Sequence, residues 1–515
     1  MSARHNGYQR SVRDFGAAGD GDADDRKAIQ ATIDTVAANG GGVVYFPAGT
    51  YKVTVYTPAA GRFHWPRVFT IKPNVTLQGV NSATSIIKLA DNQVPYGALL
   101  APDPLGADVS GFGMYNLGVD INGLNNPLPT AAELNEAIWE KRRNRNTVFI
   151  NSGRGLRFEH CRFSNFIGTW CLNLYSYYVS NVRITNNVFD KVGGGSLDFD
   201  SSTVDTAGNN CRITNNKFYS RNYNSPKGPL NYGLRTAIEV HNVNALVANN
   251  QIYGFPIGIN FGGNTPRGNR SITASDNYIE NAFNGIIIYA DKPDDGSAVG
   301  MQDCTISGNT ITLNVNGWQF TIGNGNQCHG ISIEREGNLD AQVRNLNVTN
   351  NHIYYTNYNG TRDPLIDAYS AGIYYDRDNW QKSTIGVSSK NLFFNNNTID
   401  HPLGNGFYFR CDMSEVEISS NTVTDPAAGP ASFWDGWKAA MFFVGPTTDL
   451  SVSGNKIVDD RASGNIPYGL FAINDNCGYC IARGNRLVDG NGNYLCVPLL
   501  HRESGLGSWD VRPGE

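Results

Sequence analysis

Ile184-Thr185-Asn186-Asn187-Val188-Phe189 returns as Ile213-Thr214-Asn215-Asn216-Lys217-Phe218, and again as Val247-Ala248-Asn249-Asn250-Gln251-Ile252. Relatives of this hexad continue at Ala274 (ASDNYI), Ile306 (ISGNTI), Val348 (VTNNHI), Phe394 (FNNNTI), Ile418 (ISSNTV), Val452 (VSGNKI) and Ala482 (ARGNRL). Each places apolar residues on either side of a polar bend that ends in Asn. The aligned Asn residues recur at irregular intervals, from 24 to 46 residues. A fixed strand-turn-strand core with loops of variable length explains such a period, and repeats of this kind stack as the coils of a solenoid. An Asn in the left-handed region makes the tight bend, and its amide is predicted to bond to the Asn of the next coil. The sequon Asn347-Val348-Thr349 is read as part of that ladder rather than as a glycosylation acceptor.

A second strand recurs in each coil: CLNLY at Cys171, SLDFD at Ser196, AIEVH at Ala237, GINFG at Gly258, GIIIY at Gly285, GISIE at Gly330, GIYYD at Gly372 and GFYFR at Gly406. Its second and fourth residues are apolar and point inward, and its third and fifth point out. Stacking at about 4.8 Å turns the outward positions into two columns. One runs Asn173, Asp198, Glu239, Asn260, Ile287, Ser332, Tyr374, Tyr408. The other runs Tyr175, Asp200, His241, Gly262, Tyr289, Glu334, Asp376, Arg410.

Two clusters of acids emerge from the columns. Asp198, Asp200 and Glu239 crowd one patch, with His241 beside Asp200. Like charges this close keep one acid protonated beside an ionised neighbour, which is how glycosidases obtain an acid and a base or nucleophile. Glu239 is predicted to protonate the glycosidic oxygen, while Asp198 or Asp200 activates water or attacks the anomeric carbon. The same acids would also suit a metal ion or a solvated acidic face. The second cluster is Glu334, Asp376 and Arg410 with Tyr374 alongside. It reads as an ion ladder, as a substrate subsite or as the catalytic acids themselves, and the outward His241, Asn260 and Tyr289 are also expected to bind substrate. No metal and no cofactor is expected.

Composition narrows the partners. Gly is abundant at 57 residues, charged residues make up only 17% and aromatic residues 11%, which suits turns and strands and excludes an all-helical fold. A net charge of −5 offers no broad basic surface for nucleic acid or anionic membrane, and aromatics interleaved with Asn and Asp suit hydroxyl-rich ligands. The nine cysteines are an odd number spread over many coils, so free thiols are expected, including those of Cys477-Gly478-Tyr479-Cys480. Met1 leads straight into polar residues, and no apolar run is long enough to span a bilayer. A soluble protein, cytoplasmic or released by a route other than Sec, is therefore expected.

The amino-terminal stretch VRDFGAAGDGDADDRKAIQATIDTVAANGGGVVYFPAGTYKV, Val12 to Val53, predicts a strand ending at Phe15 and a helix over Lys27 to Ala38. Asp24 and Asp25 stand at the helix start, Asn39-Gly40-Gly41 at its end, and a strand GVVYFP follows. This stretch resembles the amino-terminal cap of the pectate-lyase-like superfamily, whose members include polygalacturonases, alginate epimerases, lyases and phage tailspike depolymerases. The resemblance implies an all-β, right-handed parallel β-helix with an N-terminal capping helix, active on poly- or oligosaccharide and commonly a homotrimer. A single domain over 1–515 is expected, with the cap at 11–60, a helical insertion at 125–147 and the main coils at 150–500.

The motif Cys328-His329-Gly330-Ile331-Ser332-Ile333 resembles the histidine-glycine motif of polygalacturonases, but the paired aspartates that family places one coil earlier are missing, as is its closing Arg-Ile-Lys. Glycoside hydrolysis along the first sheet is the main reading. The rival is a uronate lyase or epimerase, which needs a group to neutralise the substrate carboxylate and a base such as His241, Tyr289 or Arg410. The Asp-Pro-His-Glu signature of alginate epimerases is absent. An intramolecular fructotransferase and a non-catalytic glycan-binding β-helix remain as further alternatives.

Overall fold

A computed structural model describes the chain except for residues 1–6, 58–65, 94–96, 127–144, 194–200, 222–235, 263–267, 291–298, 317–326, 335–340, 359–368, 377–388, 429–437, 446, 462–465, 467, 473–478, 496–499, 503–508 and 514–515, and the side chains of Asn242 and of residues beyond 500. Most of the expected helical insertion, much of the long loops, Asp198 and Asp200 therefore lie outside the described residues, while Asn146 and Thr147, expected at the end of the insertion, are strand. The chain is a right-handed parallel β-helix, and it divides into two compact units, Met1–Phe255 and Pro256–Glu515.

The first unit opens with the cap. Its helix spans Arg26–Ala38 and buries Ile29, Thr32, Ile33 and Val36, an i, i+3, i+4, i+7 stripe. Asp25 stands at the N-cap, its carbonyl accepting from Ile29 N, but its side chain does not bond the helix. Its carboxylate instead accepts from the backbone of Ala18 and Gly19, holding the approach turn. The predicted strand ending at Phe15 is shorter than expected: Gln9–Ser11 is strand, and Val12–Phe15 is a 3-10 turn closed by a Ser11/Asp14 capping box.

Three strand faces then repeat. The first holds Asn146–Phe149 and Trp170–Leu174, the second Arg157–Glu159 and Val179–Thr185, the third Arg162–Ser164, Val188–Val192 and Lys217–Ser220. Ser202–Thr214 and Thr236–Ala248 run through the first and second faces without a break, bending at Asn210 and Asn244, whose φ is 58° in both. Phe69, Leu100, Val148, Leu172, Val204 and Ile238 form one inward column of the core, and the rings of Phe163, Phe189 and Phe218 stack on the third face.

The second unit repeats the pattern with two inward columns, Ile259-Ile286-Ile331-Ile373-Phe407-Met441-Leu470 and Phe261-Ile288-Ile333-Tyr375-Phe409-Phe443-Ala472. The register expected from the second and fourth positions holds here. The glycine that begins each strand sits at a tight corner: a Cβ at Gly330 would lie 2.5 Å from the Ile353 side chain and 2.6 Å from the Gly372 carbonyl.

The asparagine ladder is present, with two jobs divided between neighbouring residues. The first Asn of each pair (Asn186, Asn215, Asn249, Asn350, Asn396) takes the left-handed conformation, with φ of 56–57°. The second is buried and forms the ladder: Asn187 to Asn216 to Asn250 in the first unit, and Asn277 to Asn309, Asn351, Asn397, Asn421, Asn455 and Asn485 in the second. Asp276, Gly308, Ser420, Gly454 and Gly484 make the bend where the first residue is not Asn. Asn347 is not a rung; it lies on a strand opposite Thr305 and Phe393.

Among the described residues no helix is long and apolar enough to cross a membrane. The seven described cysteines are free and buried, and burial pushes the thiols of Cys161, Cys171, Cys211 and Cys304 up to about 12.

The ladder and the bend make separable predictions. Asn351 Oδ1 accepts from the backbone N and side-chain Nδ2 of Asn309, and its own Nδ2 donates to Ile306 O and Asn397 Oδ1. Asn351→Ala strands these buried partners and is expected to cost about 2–4 kcal/mol. Asn350→Gly keeps the bend and is expected to change stability by less than about 1 kcal/mol. Denaturant unfolding of the two variants should separate them.

Candidate functional site

In the first unit, three parallel strands set the site. Asn173 lies opposite Asp205, and Asp205 opposite Glu239, while the flanking Leu172, Val204 and Ile238 face the core. All three polar side chains point away from that core, yet Asp205 is only 5% exposed and Glu239 7%. His241 lies opposite Ala207, whose methyl leaves room for the ring. Its Nε2 is 3.4 Å from Glu239 Oε1 and 3.9 Å from Asp205 Oδ1. The Tyr175 ring meets the His241 ring edge-on, centroids 4.9 Å apart. Asn173 Oδ1 accepts from the Tyr175 backbone N at 3.2 Å, a local bond where that strand ends.

Asp205, Glu239 and His241 each place one carboxylate oxygen or ring nitrogen within 4.8 Å of the others, a donor set that would also hold a divalent cation. Two buried carboxylates at this distance repel unless a proton or a cation lies between them.

The register corrects the predicted alignment. The strand stacked on Ala237–His241 is Thr203-Val204-Asp205-Thr206-Ala207, so Asp205 takes the place expected for Asp198. Asp198 and Asp200 fall in 194–200, outside the described residues. TVDTA has its acid in the same third place as SLDFD but only one strongly apolar inward residue, Val204, so alternation alone favours SLDFD. Distance to the ladder decides otherwise: Asp205 precedes Asn216 by the same eleven residues by which Glu239 precedes Asn250.

The remaining candidates lie in the second unit. Asn260 is buried opposite Ile287, and Tyr289 pairs with Glu334, both half-buried. Tyr374, Asp376 and Arg410 do come together. Arg410 clamps Asp376 through Nε and a terminal nitrogen, at 2.6 and 2.5 Å, and the Tyr374 hydroxyl donates to the same carboxylate. Burial opposes the Arg410 charge, but the Asp376 carboxylate more than reverses this and holds the guanidinium ionised. The Tyr374 ring stacks on Tyr408 and on His329, with centroids 5.2 and 4.0 Å apart. His329 is buried, which lowers it to about 3. Its Nδ1 accepts from Ala371 N and its Nε2 lies 3.1 Å from Gln327 Oε1, the bonding of a neutral ring. The Cys328–Ile333 motif thus supplies packing and a backbone tie.

Comparison with known proteins agrees with the fold. Residues 9–125 match the family described as rhamnogalacturonase A/epimerase, pectate lyase-like. A mannuronan C5-epimerase, AlgE6, of Azotobacter vinelandii is 41% identical over 116 residues, 22% of this chain and 13% of that protein. Alginate lyase 7 of the same organism is 36% identical over 112 residues, 22% of this chain and 12% of its own length. The chain thus spans about an eighth of each of these relatives. The tailspike protein of Escherichia coli bacteriophage HK620, solved with a pentasaccharide, superposes with a TM-score of 0.60 at 18% identity, covering 94% of this chain and 79% of that one. The fold is shared with, and the amino-terminal match is to, the pectate-lyase-like superfamily of right-handed parallel β-helices. Within it, the stretch that matches the rhamnogalacturonase A/epimerase type begins at the cap and ends before the strands that carry Asp205 and Glu239.

The buried neutral His329 predicts a pH dependence. Its folded value lies near 3 against 6.5 for an exposed histidine, so the unfolded chain binds the extra proton between these values. Stability from this group is full above pH 6.5 and falls as the pH drops towards 3. His329→Asn is expected to flatten the acid limb of a plot of unfolding free energy against pH, measured by denaturant titration.

Proposed function

We propose that the protein is a polysaccharide-active enzyme whose chemistry takes place at Asp205, Glu239 and His241, on a uronate-containing chain, by removal of the proton alpha to the sugar carboxylate. The observation that carries this reading is the pairing of two buried carboxyl groups with an imidazole and a neighbouring tyrosine, Tyr175. The mannuronan epimerase and alginate lyase relatives support the same choice of chemistry.

The alpha proton of a uronate is acidified only when its carboxylate charge is neutralised. A protonated Asp205 or Glu239 donates a hydrogen bond to that carboxylate and so stabilises the enolate-like state. Neutral His241 takes the proton. In elimination, the electron pair then expels the glycosidic oxygen at the adjacent carbon, which takes up a proton as it leaves, giving an unsaturated uronate. In epimerisation, a proton returns to the opposite face, for which the Tyr175 hydroxyl is the nearby donor.

Glycoside hydrolysis is the second reading, favoured by the carboxylate oxygens of Asp205 and Glu239 lying within 4.8 Å. That is close to the spacing of retaining glycosidases. A panel of uronate and neutral glycans separates the two. Ultraviolet absorbance of an unsaturated product, or a changed uronate epimer ratio by NMR, supports the first reading; new reducing ends without either support the second. Under uronate chemistry His241→Gln and Glu239→Gln are each expected to lower kcat by about 10²–10⁴-fold. Under hydrolysis Glu239→Gln alone should reach that range, with His241→Gln far milder.

A further inference from the structure

The second face of the first unit carries a feature that the chemistry above does not use. Its outward side chains stack in register as Thr76, Gly113, Arg157, Arg183 and Arg212. A parallel column beside it runs Gln78, Tyr115, Glu159, Thr185 and Thr214. Three arginines thus occupy one outward position on three successive coils, about 4.8 Å apart.

Like charges directly opposite on adjacent strands are unfavourable. Glu159, 3.6 Å from Arg183, offsets part of this, while Arg183 and Arg212 stay exposed. The column is also a local concentration of cations in a chain of net charge −5.

At one end of this column lies a groove of about 170 Å³, lined by Thr76, Gln78, Gly113, Tyr115, Arg157 and Glu159 among others. Gly113 makes its floor. A Cβ there would sit in contact with Thr76 Oγ1 and Arg157 O, 3.4 Å from both. The groove combines a hydroxyl, an amide, a carboxylate, a guanidinium and an aromatic ring. The Tyr115 ring is held edge-on by His160, centroids 5.5 Å apart. Such a mixture suits a sugar ring, with polar groups that fix its hydroxyls and a tyrosine that covers an apolar face.

We propose that this second face is an auxiliary binding site for an acidic saccharide chain. One sugar seats over Gly113 beside Tyr115, and the carboxylates of the following units are taken by Arg157, Arg183 and Arg212. The guanidinium fork matches a carboxylate bidentately, and the rise from one arginine to the next is comparable to the length of a single pyranose unit. The site is separate from Asp205, Glu239 and His241, and the proposal concerns binding alone, so it stands whichever reaction the first face performs.

The test uses the full chain in affinity electrophoresis through gels holding polymannuronate, polygalacturonate or neutral dextran, at low and high salt. Retardation by the two polyuronates that weakens with salt, and none by dextran, is expected. The double variant Arg183→Glu/Arg212→Glu changes two exposed side chains and should lower polyuronate affinity by on the order of tenfold or more and abolish its salt dependence. Tyr115→Ala should lower affinity without altering the salt dependence, and both variants should keep wild-type turnover of a short oligosaccharide. Wild-type protein that ignores polyuronate, dextran that retards equally, or a double variant that binds as before would overturn the proposal. Unchanged circular dichroism and heat-inactivation half-life in the variants exclude misfolding as the cause of a loss.

Discussion

The buried asparagine amide is the constraint on which the coils depend. A carboxamide inside an apolar core has two donor hydrogens and an oxygen to satisfy, and leaving them unmet costs more than their bonds return. Here each amide is satisfied by its neighbours along the stack: Asn216 donates to the Ile184 carbonyl and to Asn250 Oδ1, and accepts from Asn187. A coil that slipped by one residue would bury an unpaired amide and turn its apolar side chains outward at once. Loops between the rungs are free of that restriction, and so intervals of 24 and 46 residues coexist in one ladder.

Once the rungs fix the register, outward side chains from distant parts of the sequence become neighbours without any further device. The same arrangement yields two different outcomes. In the first unit, Asp205 and Glu239 face each other with an imidazole bridging them, an arrangement of like charges that a protein core would not select for stability. In the second, Asp376 meets Arg410 and Tyr374, and every charge has its counterpart between stacked rings. A closed ion pair of this sort fixes packing, whereas acids set against each other are a source of reactivity.

Much of this was legible in the chain. The cap helix, the repeated bends, the inward columns of the second unit and the meeting of Asp376 with Arg410 follow from period-two alternation and from Asn in the bend. What escaped was the choice between two runs before Asn216 that each carry an acid in the third place. SLDFD carries more hydrophobic bulk than TVDTA, but a strand position is defined by its distance from the rung, and only TVDTA keeps the distance seen at Glu239. The division of labour within each Asn pair was hidden for a related reason: identical side chains one residue apart give no sign of which bends and which bonds. Asp25 shows the converse, since a residue at the right place for a helix cap spends its carboxylate on the preceding turn.

The burial of the sulfur atoms has a consequence for the environments the chain tolerates. Cys161, Cys171, Cys211, Cys304, Cys328, Cys411 and Cys480 are enclosed within the coils, and burial keeps at least the first four protonated at neutral pH. Thiols in that condition neither attack disulfides nor meet oxidants from solution. Through those four sites, the folded protein would pass between reducing and oxidising surroundings with its covalent structure unchanged.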